Sequence, residues 1–220
     1  MDAQAGYGWY GKVPCVGDFV RRGLSPQFVS AWDGWMQNLL LIGRDALGDR
    51  WQECYFGAPI WRFALSPGAC GPLGAAGIVM PSVDRVGRQF PLCLVAEIDA
   101  PVWTAYLAVE PVFEALEDTA LAMLDDDAAL EHLEESLTAL PAPVAVLVTR
   151  AETVGAATAL AADGAVQNAL AALAAAERAS IWVAVIDGRS RMLLAPSLPD
   201  GEEEAAALFD LNAPCWKPLN

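Results

Sequence analysis

A chain of 220 residues is long enough to bury roughly 70% of its surface in one large domain or two small ones, without disulfide or metal staples. With 55% apolar residues and eight tryptophans, it reads as a well-filled globular core and not as a disordered polypeptide. The net charge of −15 is uneven: residues 1–100 carry eight Lys+Arg against nine Asp+Glu, residues 101–220 five against nineteen. An acidic half argues against nucleic acid and anionic membrane surfaces, because neutralising phosphates takes clustered Lys and Arg. It permits a basic protein partner, and it equally serves the solubility of an Ala/Leu-rich half.

No apolar run approaches the ~20 residues of a membrane span. Met1-Asp2-Ala3-Gln4 has neither the basic nor the apolar region of a signal peptide, so a cytoplasmic protein is expected. Five cysteines, at 15, 54, 70, 93 and 215, are odd in number and lack CxxC spacing. They are expected as reduced core thiols, not as a disulfide or zinc framework.

Gly6–Pro14 reads as a short aromatic strand broken by glycines, and Val16–Gly23 as a turn-rich segment. Gly11-Lys12 precedes Val13-Pro14 and not a helix opened by Ser or Thr, so it is not a phosphate-binding loop. Ser25-Pro26 starts a helix, Ser25 as N-cap and Pro26 at its first position. Phe28, Trp32, Trp35, Met36, Leu39 and Leu40 then recur at helical spacing as far as about Leu47, with Gly48 at the end.

Cys54–Phe56 and Ile60–Leu65 read as strands around Pro59, the second alternating Trp61 and Phe63 with Arg62 and Ala64. Ala75–Met80 and Leu92–Ile98 complete an antiparallel meander over 54–98. From Pro101 the pattern is helical through Leu124 and again over Ala128–Leu140, with Asp127 of the Asp125–Asp127 triplet expected as a cap and no EF-hand spacing. Pro143–Thr149 reads as a sandwiched strand, Ala165–Arg178 as an alanine-rich helix, and Ser180–Asp187 as a strand followed by a turn, Asp187-Gly188-Arg189-Ser190, into Arg191–Ala195. Glu202–Phe209 is a last helix, and Pro214–Asn220 a tail. The alternation implies an α/β fold, a three-layer α/β/α sandwich with a mixed, partly antiparallel sheet. Pro141-Ala142-Pro143 is too short a seam to divide it, so 1–220 is expected as one domain.

The chemistry concentrates in Pro81–Pro91. Two prolines end the flanking strands, Gly87 permits a positive φ, and Ser82, Asp84, Arg85 and Arg88 are held on the short connection between core strands. Asp84 with the arginines serves either as a turn-locking ion pair or as a charged recognition patch, and Asp18 and Arg62 carry the same two readings. The lone His132 sits among Glu131, Glu134 and Glu135, where a surface role is expected. GxSxG, HExxH and Walker patterns are absent.

Four separated motifs then line up: Gly11–Val20, Trp32-Asp33-Gly34-Trp35, Pro59–Phe63, and Met80–Arg88 running into Phe90-Pro91-Leu92. Together they closely resemble the TagF (ImpM) family, accessory proteins of the bacterial type VI secretion system, over about residues 7–98. The resemblance implies a cytoplasmic, non-enzymatic regulator that represses secretion after translation. Its implied partner is a forkhead-associated (FHA) scaffold protein, and no cofactor is implied. Some relatives carry a fused phosphatase domain, and that activity is not carried over to this chain. The resemblance assigns no catalytic residue, and Asp18, Arg62, Ser82, Asp84, Arg85 and Arg88 are matched positions with an open role. They are expected to form a partner-binding rim. The rival reading is a small-anion or phospho-ligand binder or enzyme, with Arg62, Arg85 and Arg88 around a pocket. A third is that the motif serves folding while the acidic second half carries the interface.

Overall fold

A computed structural model describes residues 6–125, 127–145 and 179–216. Seven strands form one sheet in the order β2-β1-β5-β4-β3-β6-β7: β1 Gly8–Gly11, β2 Val20–Arg22, β3 Trp61–Leu65, β4 Gly74–Met80, β5 Leu92–Ile98, β6 Ser180–Ile186 and β7 Arg189–Ala195. Every pairing among the described residues is antiparallel, so the expectation of a mixed sheet is met only in its antiparallel part. The strand expected at 143–149 lies, from residue 146 onward, outside the described residues, as does the helix expected at 165–178.

Alternation along the strands sorts side chains to two faces. Tyr10, Trp61, Phe63, Val79, Cys93, Val95 and Trp182 face one core, under α1 (Pro26–Leu47), α2 (Trp51–Gly57) and α6 (Glu202–Phe209). Trp9, Ile78, Met80, Leu92, Leu94, Ile181 and Val183 face the other, under α3 (Val102–Val109), α4 (Phe113–Ala122) and α5 (Leu130–Ala139). That is the three-layer α/β/α arrangement.

The first core is built on indoles. Trp32 lies 4.9 Å from Phe63 and 4.9 Å from Trp35 between ring centroids, and Phe63 is 5.3 Å from Trp182. Trp32 and Trp182 have no solvent exposure, a hydrophobic load no smaller side chain would supply at these sites. In the sheet centre, β4 pairs so closely with β5 that a Cβ at Gly77 would lie 2.6 Å from the Val95 Cα, and closer still to the Leu94 carbonyl oxygen. Only glycine leaves room there.

Local expectations hold where local physics dominates. Ser25 caps α1 by accepting from the Phe28 amide at 3.1 Å, and Gly48 closes the helix with φ +51°. Asp187 (φ 50°) and Gly188 (φ 71°) make the positive-φ turn joining β6 to β7, tighter than the four-residue turn expected, so that Arg189 and Ser190 already pair in β7. Cys54–Phe56 is not a strand but part of α2. Trp51, Cys54 and Tyr55 are its buried residues, and this i, i+3, i+4 spacing is helical. The helical stretch after Pro101 breaks around Pro111, the middle residue of a 3₁₀ turn over Glu110–Val112. Ala129, not Asp127, precedes the first residue of α5. Val16–Gly23 contains the short edge strand β2, and the Pro214–Trp216 part of the tail is a 3₁₀ turn. Cys54, Cys70 and Cys93 are core thiols as expected, but Cys15 is half-buried and Cys215 exposed.

Candidate functional site: a ridge made of two braced turns

Pro81–Pro91 joins β4 to β5 at one end of the sheet, and its polar residues divide into an inner and an outer set. Asp84 is 2% exposed. Its Oδ1 accepts from the backbone N–H of Val86 (3.1 Å) and of Arg88 (2.9 Å). Its Oδ2 accepts from Arg88 Nε at 2.6 Å and lies 3.0 Å from Lys12 Nζ, itself buried on β1's continuation. Burial pushes the Asp84 carboxyl pKa up. The Arg88 amide, the Lys12 ammonium, the Arg88 guanidinium and the Val86 amide outweigh that and hold it well below the usual carboxylate range. Gly87 supplies the φ of +83° that lets the chain wrap the carboxylate.

Ser82 is buried too. The Tyr55 hydroxyl donates to its carbonyl at 2.7 Å and accepts from its amide at 3.1 Å, so α2 anchors the loop's base. The Ser82 Oγ is buried without a hydrogen-bond partner among the described residues.

A second turn, Pro14–Phe19, is fastened to this loop. The Arg85 amide donates to the Val16 carbonyl at 3.0 Å, and Arg88 Nη2 donates to the Gly17 carbonyl at 2.6 Å. A Cβ at Gly17 would touch the Arg85 guanidinium at 3.4 Å. Lys12 lies 5.0 Å from the Phe19 ring centroid, and Phe19 stacks on Tyr10 (5.5 Å) and edges onto Phe90 (4.8 Å). The two turns thus form one ridge, with Phe19 (40% exposed), Val86 (69% exposed), Asp18 and Arg85 outward. The outer shoulder of α1 runs beside it. Asp33 accepts from the Tyr10 hydroxyl at 2.6 Å, and Arg44 donates to Gln89 Oε1 at 3.4 Å.

Of the expected rim residues, Asp84, Arg85, Arg88, Ser82 and Asp18 come together, in different roles. Asp84 and Ser82 are interior, and Arg88 is a partly exposed strut. Arg85 and Asp18 are at the surface, where Asp18 Oδ1 accepts the Phe19 amide at 2.8 Å. Arg62 does not join them. It extends over the Phe113 ring on the α3–α5 face and donates to Glu117 through Nε (2.6 Å) and Nη2 (2.8 Å). The three arginines of the anion-pocket reading therefore have no common partner. An apolar recess on the opposite face is lined by Trp35, Met36, Leu39, Trp61, Trp182 and Leu208, and no arginine reaches it. Among the described residues no cluster of His, Cys, Asp and Glu has metal-binding geometry. His132 is exposed on α5, as expected.

Lys12, Phe19, Tyr55 and Glu117 complete this geometry without having been singled out by residue pattern. Lys12 and Phe19 sit inside a quoted motif, but nothing local says that an ammonium there is buried against a carboxylate seventy-two residues on. Glu117 is one of several acids on an acidic helix.

Residues 8–140 match the family model of the TagF N-terminal domain, type VI secretion system-associated. No curated protein matches the chain. The fold superposes on the crystal structure of PA0076 from Pseudomonas aeruginosa PAO1 with a TM-score of 0.76 and 33% sequence identity, over 97% of this chain and 98% of that one. A structural match of nearly full length carries the likeness past residue 98, where the motifs end, into the Ala-rich half. On these matches the chain belongs to the TagF family of type VI secretion system-associated proteins.

Proposed function

We propose that this protein is a cytoplasmic, post-translational negative regulator of type VI secretion. It acts by binding an FHA-domain scaffold protein through the ridge of Phe19, Arg85 and Val86, and not by catalysis. The observation that carries this reading is the division of labour in the motif. Its buried members, Asp84, Lys12 and Ser82, hold two turns rigid, and the product of that rigidity is an exposed apolar and cationic crest. Rigid presentation of a few outward side chains lowers the ordering cost of association. The anion-pocket reading has less support, because Glu117 occupies Arg62 and Asp84 occupies Arg88.

The test is co-precipitation of the scaffold by wild type and by the surface variant Arg85→Glu/Val86→Asp, alongside a secretion assay in cells lacking the protein. The expected result is capture by wild type, loss by the folded variant, and raised secretion at unchanged transcript levels that wild type but not the variant reverses. Undiminished capture by the variant, or secretion indifferent to the protein, overturns the proposal.

A further inference from the structure

The protein is strongly acidic, yet the surroundings of the ridge are not. Six of the thirteen Lys and Arg residues of the chain are Lys12, Arg21, Arg22, Arg44, Arg85 and Arg88. Strand alternation sends Arg22 to the far face, where it pairs with Glu134. It leaves Arg21 opposite Tyr10 in the β1–β2 register, on the ridge side. Arg21, Arg44 and Arg85 are exposed and form no salt bridge among the described residues. Lys12 and Arg88 share the single carboxylate of Asp84, which leaves one positive charge in excess. Against these stand Asp18 and Asp33, the second already engaged by the Tyr10 hydroxyl and by Gln37 Nε2 at 2.7 Å.

Cations without a carboxylate partner around exposed aromatic and aliphatic side chains are a poor design for solubility on a chain of net charge −15, and a good one for a complementary ligand. Arg44 is further shaped for this. Its guanidinium lies 5.6 Å from the Trp51 ring centroid, which restricts its rotamers before any ligand arrives. Phe19 is likewise fixed by the rings of Tyr10 and Phe90.

We infer that the ridge takes an acidic segment of the protein partner, seated by an apolar residue on Phe19 and Val86 and by carboxylates on Arg21, Arg44 and Arg85. This rests on the ridge being the docking surface and names the chemistry of what docks there. Charges beyond the ~8 Å screening length are largely screened, so a segment at the ridge feels the nearby arginines more than the acidic body of the molecule, whose repulsion grows as salt is lowered. Charge reversal is therefore a cleaner probe than salt.

The experiment uses the full chain and short fluorescent peptides in anisotropy titrations. One peptide has a Leu-Phe centre flanked by Asp and Glu, a second the same centre flanked by Lys, a third acidic flanks around serine. The first is expected to bind, the second not, and the third at least about tenfold more weakly. Arg44→Glu/Arg85→Glu should weaken the first peptide about tenfold or more, Arg44→Lys/Arg85→Lys far less, and Phe19→Ala should act mainly on the apolar centre. Unchanged melting temperatures show that the variants are folded. Preference for the Lys-flanked peptide, no binding of the acidic one, or indifference to charge reversal overturns the inference. So does a concentration-dependent dimer that blocks the ridge and dissolves on substituting Glu131 and Glu135 of α5. Scaffold capture that survives both charge reversal and excess acidic peptide also overturns it. Peptide binding at the ridge with no scaffold capture leaves the inference standing and removes the scaffold as the partner.

Discussion

Lys12 and Asp84, seventy-two residues apart, meet at 3.0 Å with side chains 8% and 0% exposed, and Arg88 closes on the same carboxylate oxygen from outside, its own side chain 62% exposed. Replacing the carboxylate leaves the Lys12 ammonium buried without its counter-charge, whereas removing Arg88 takes away a strut that water can replace. Thermal denaturation should therefore rank wild type above Arg88→Ala, and Arg88→Ala above Asp84→Asn. The reverse order would mean that the loop is held from its surface and not from its interior.

The same site sets an acid limit. The folded-state pKa of Asp84 is lowered, so the stability it contributes is present above the unfolded value near ~4 and is lost as pH falls through that value towards the folded one. Denaturation midpoints of wild type and Asp84→Asn should thus converge as pH drops below about 4 and diverge above it. A gap that stays constant from neutral to acid pH would show that the charge of Asp84 is not what stabilises the fold.

Arg62 and Glu117 bind through two hydrogen bonds, with side chains 18% and 21% exposed. Discounted for partial solvent access, a double-mutant cycle with Arg62→Ala and Glu117→Ala should give a coupling of about 1 kcal/mol, with no change in ridge binding. Loss of partner capture by Arg62→Ala at unchanged melting temperature would return Arg62 to the docking surface.

Ser25 works in two directions, its Oγ accepting from the Phe28 amide and donating to Glu97 Oε1 at 2.6 Å, while its amide donates to Glu97 Oε2 at 2.7 Å. Ser25→Ala removes the cap and should cost about 1 kcal/mol, a fall of about 2–4 °C for a chain of this size. Glu97→Gln should cost a comparable amount, and the double variant less than the sum of the two. Strict additivity would show that β5 does not help seat α1.

Sequence by itself determined what depends on neighbours along the chain. The start of α1 at Ser25-Pro26 and its end at Gly48, the alternation of β3, the β6–β7 turn at Asp187-Gly188, and the limits of α6 all follow from capping, positive φ and periodicity. It also marked the loop carrying Ser82–Arg88 as special, because prolines, a glycine and mixed charges between two apolar runs have no packing reason. Tertiary structure alone decided which of those charges face inward. Burying Asp84 depends on Lys12 arriving just after β1, and anchoring Ser82 depends on Tyr55 arriving from α2, and no spacing rule encodes contacts between segments so far apart. It likewise sent Arg62 to Glu117 and not to the ridge, since alternation specifies two faces but not which helix covers each. The short run at Cys54–Phe56 shows the same limit from below: three β-prone residues weigh less than a helical face that buries Trp51, Cys54 and Tyr55 together.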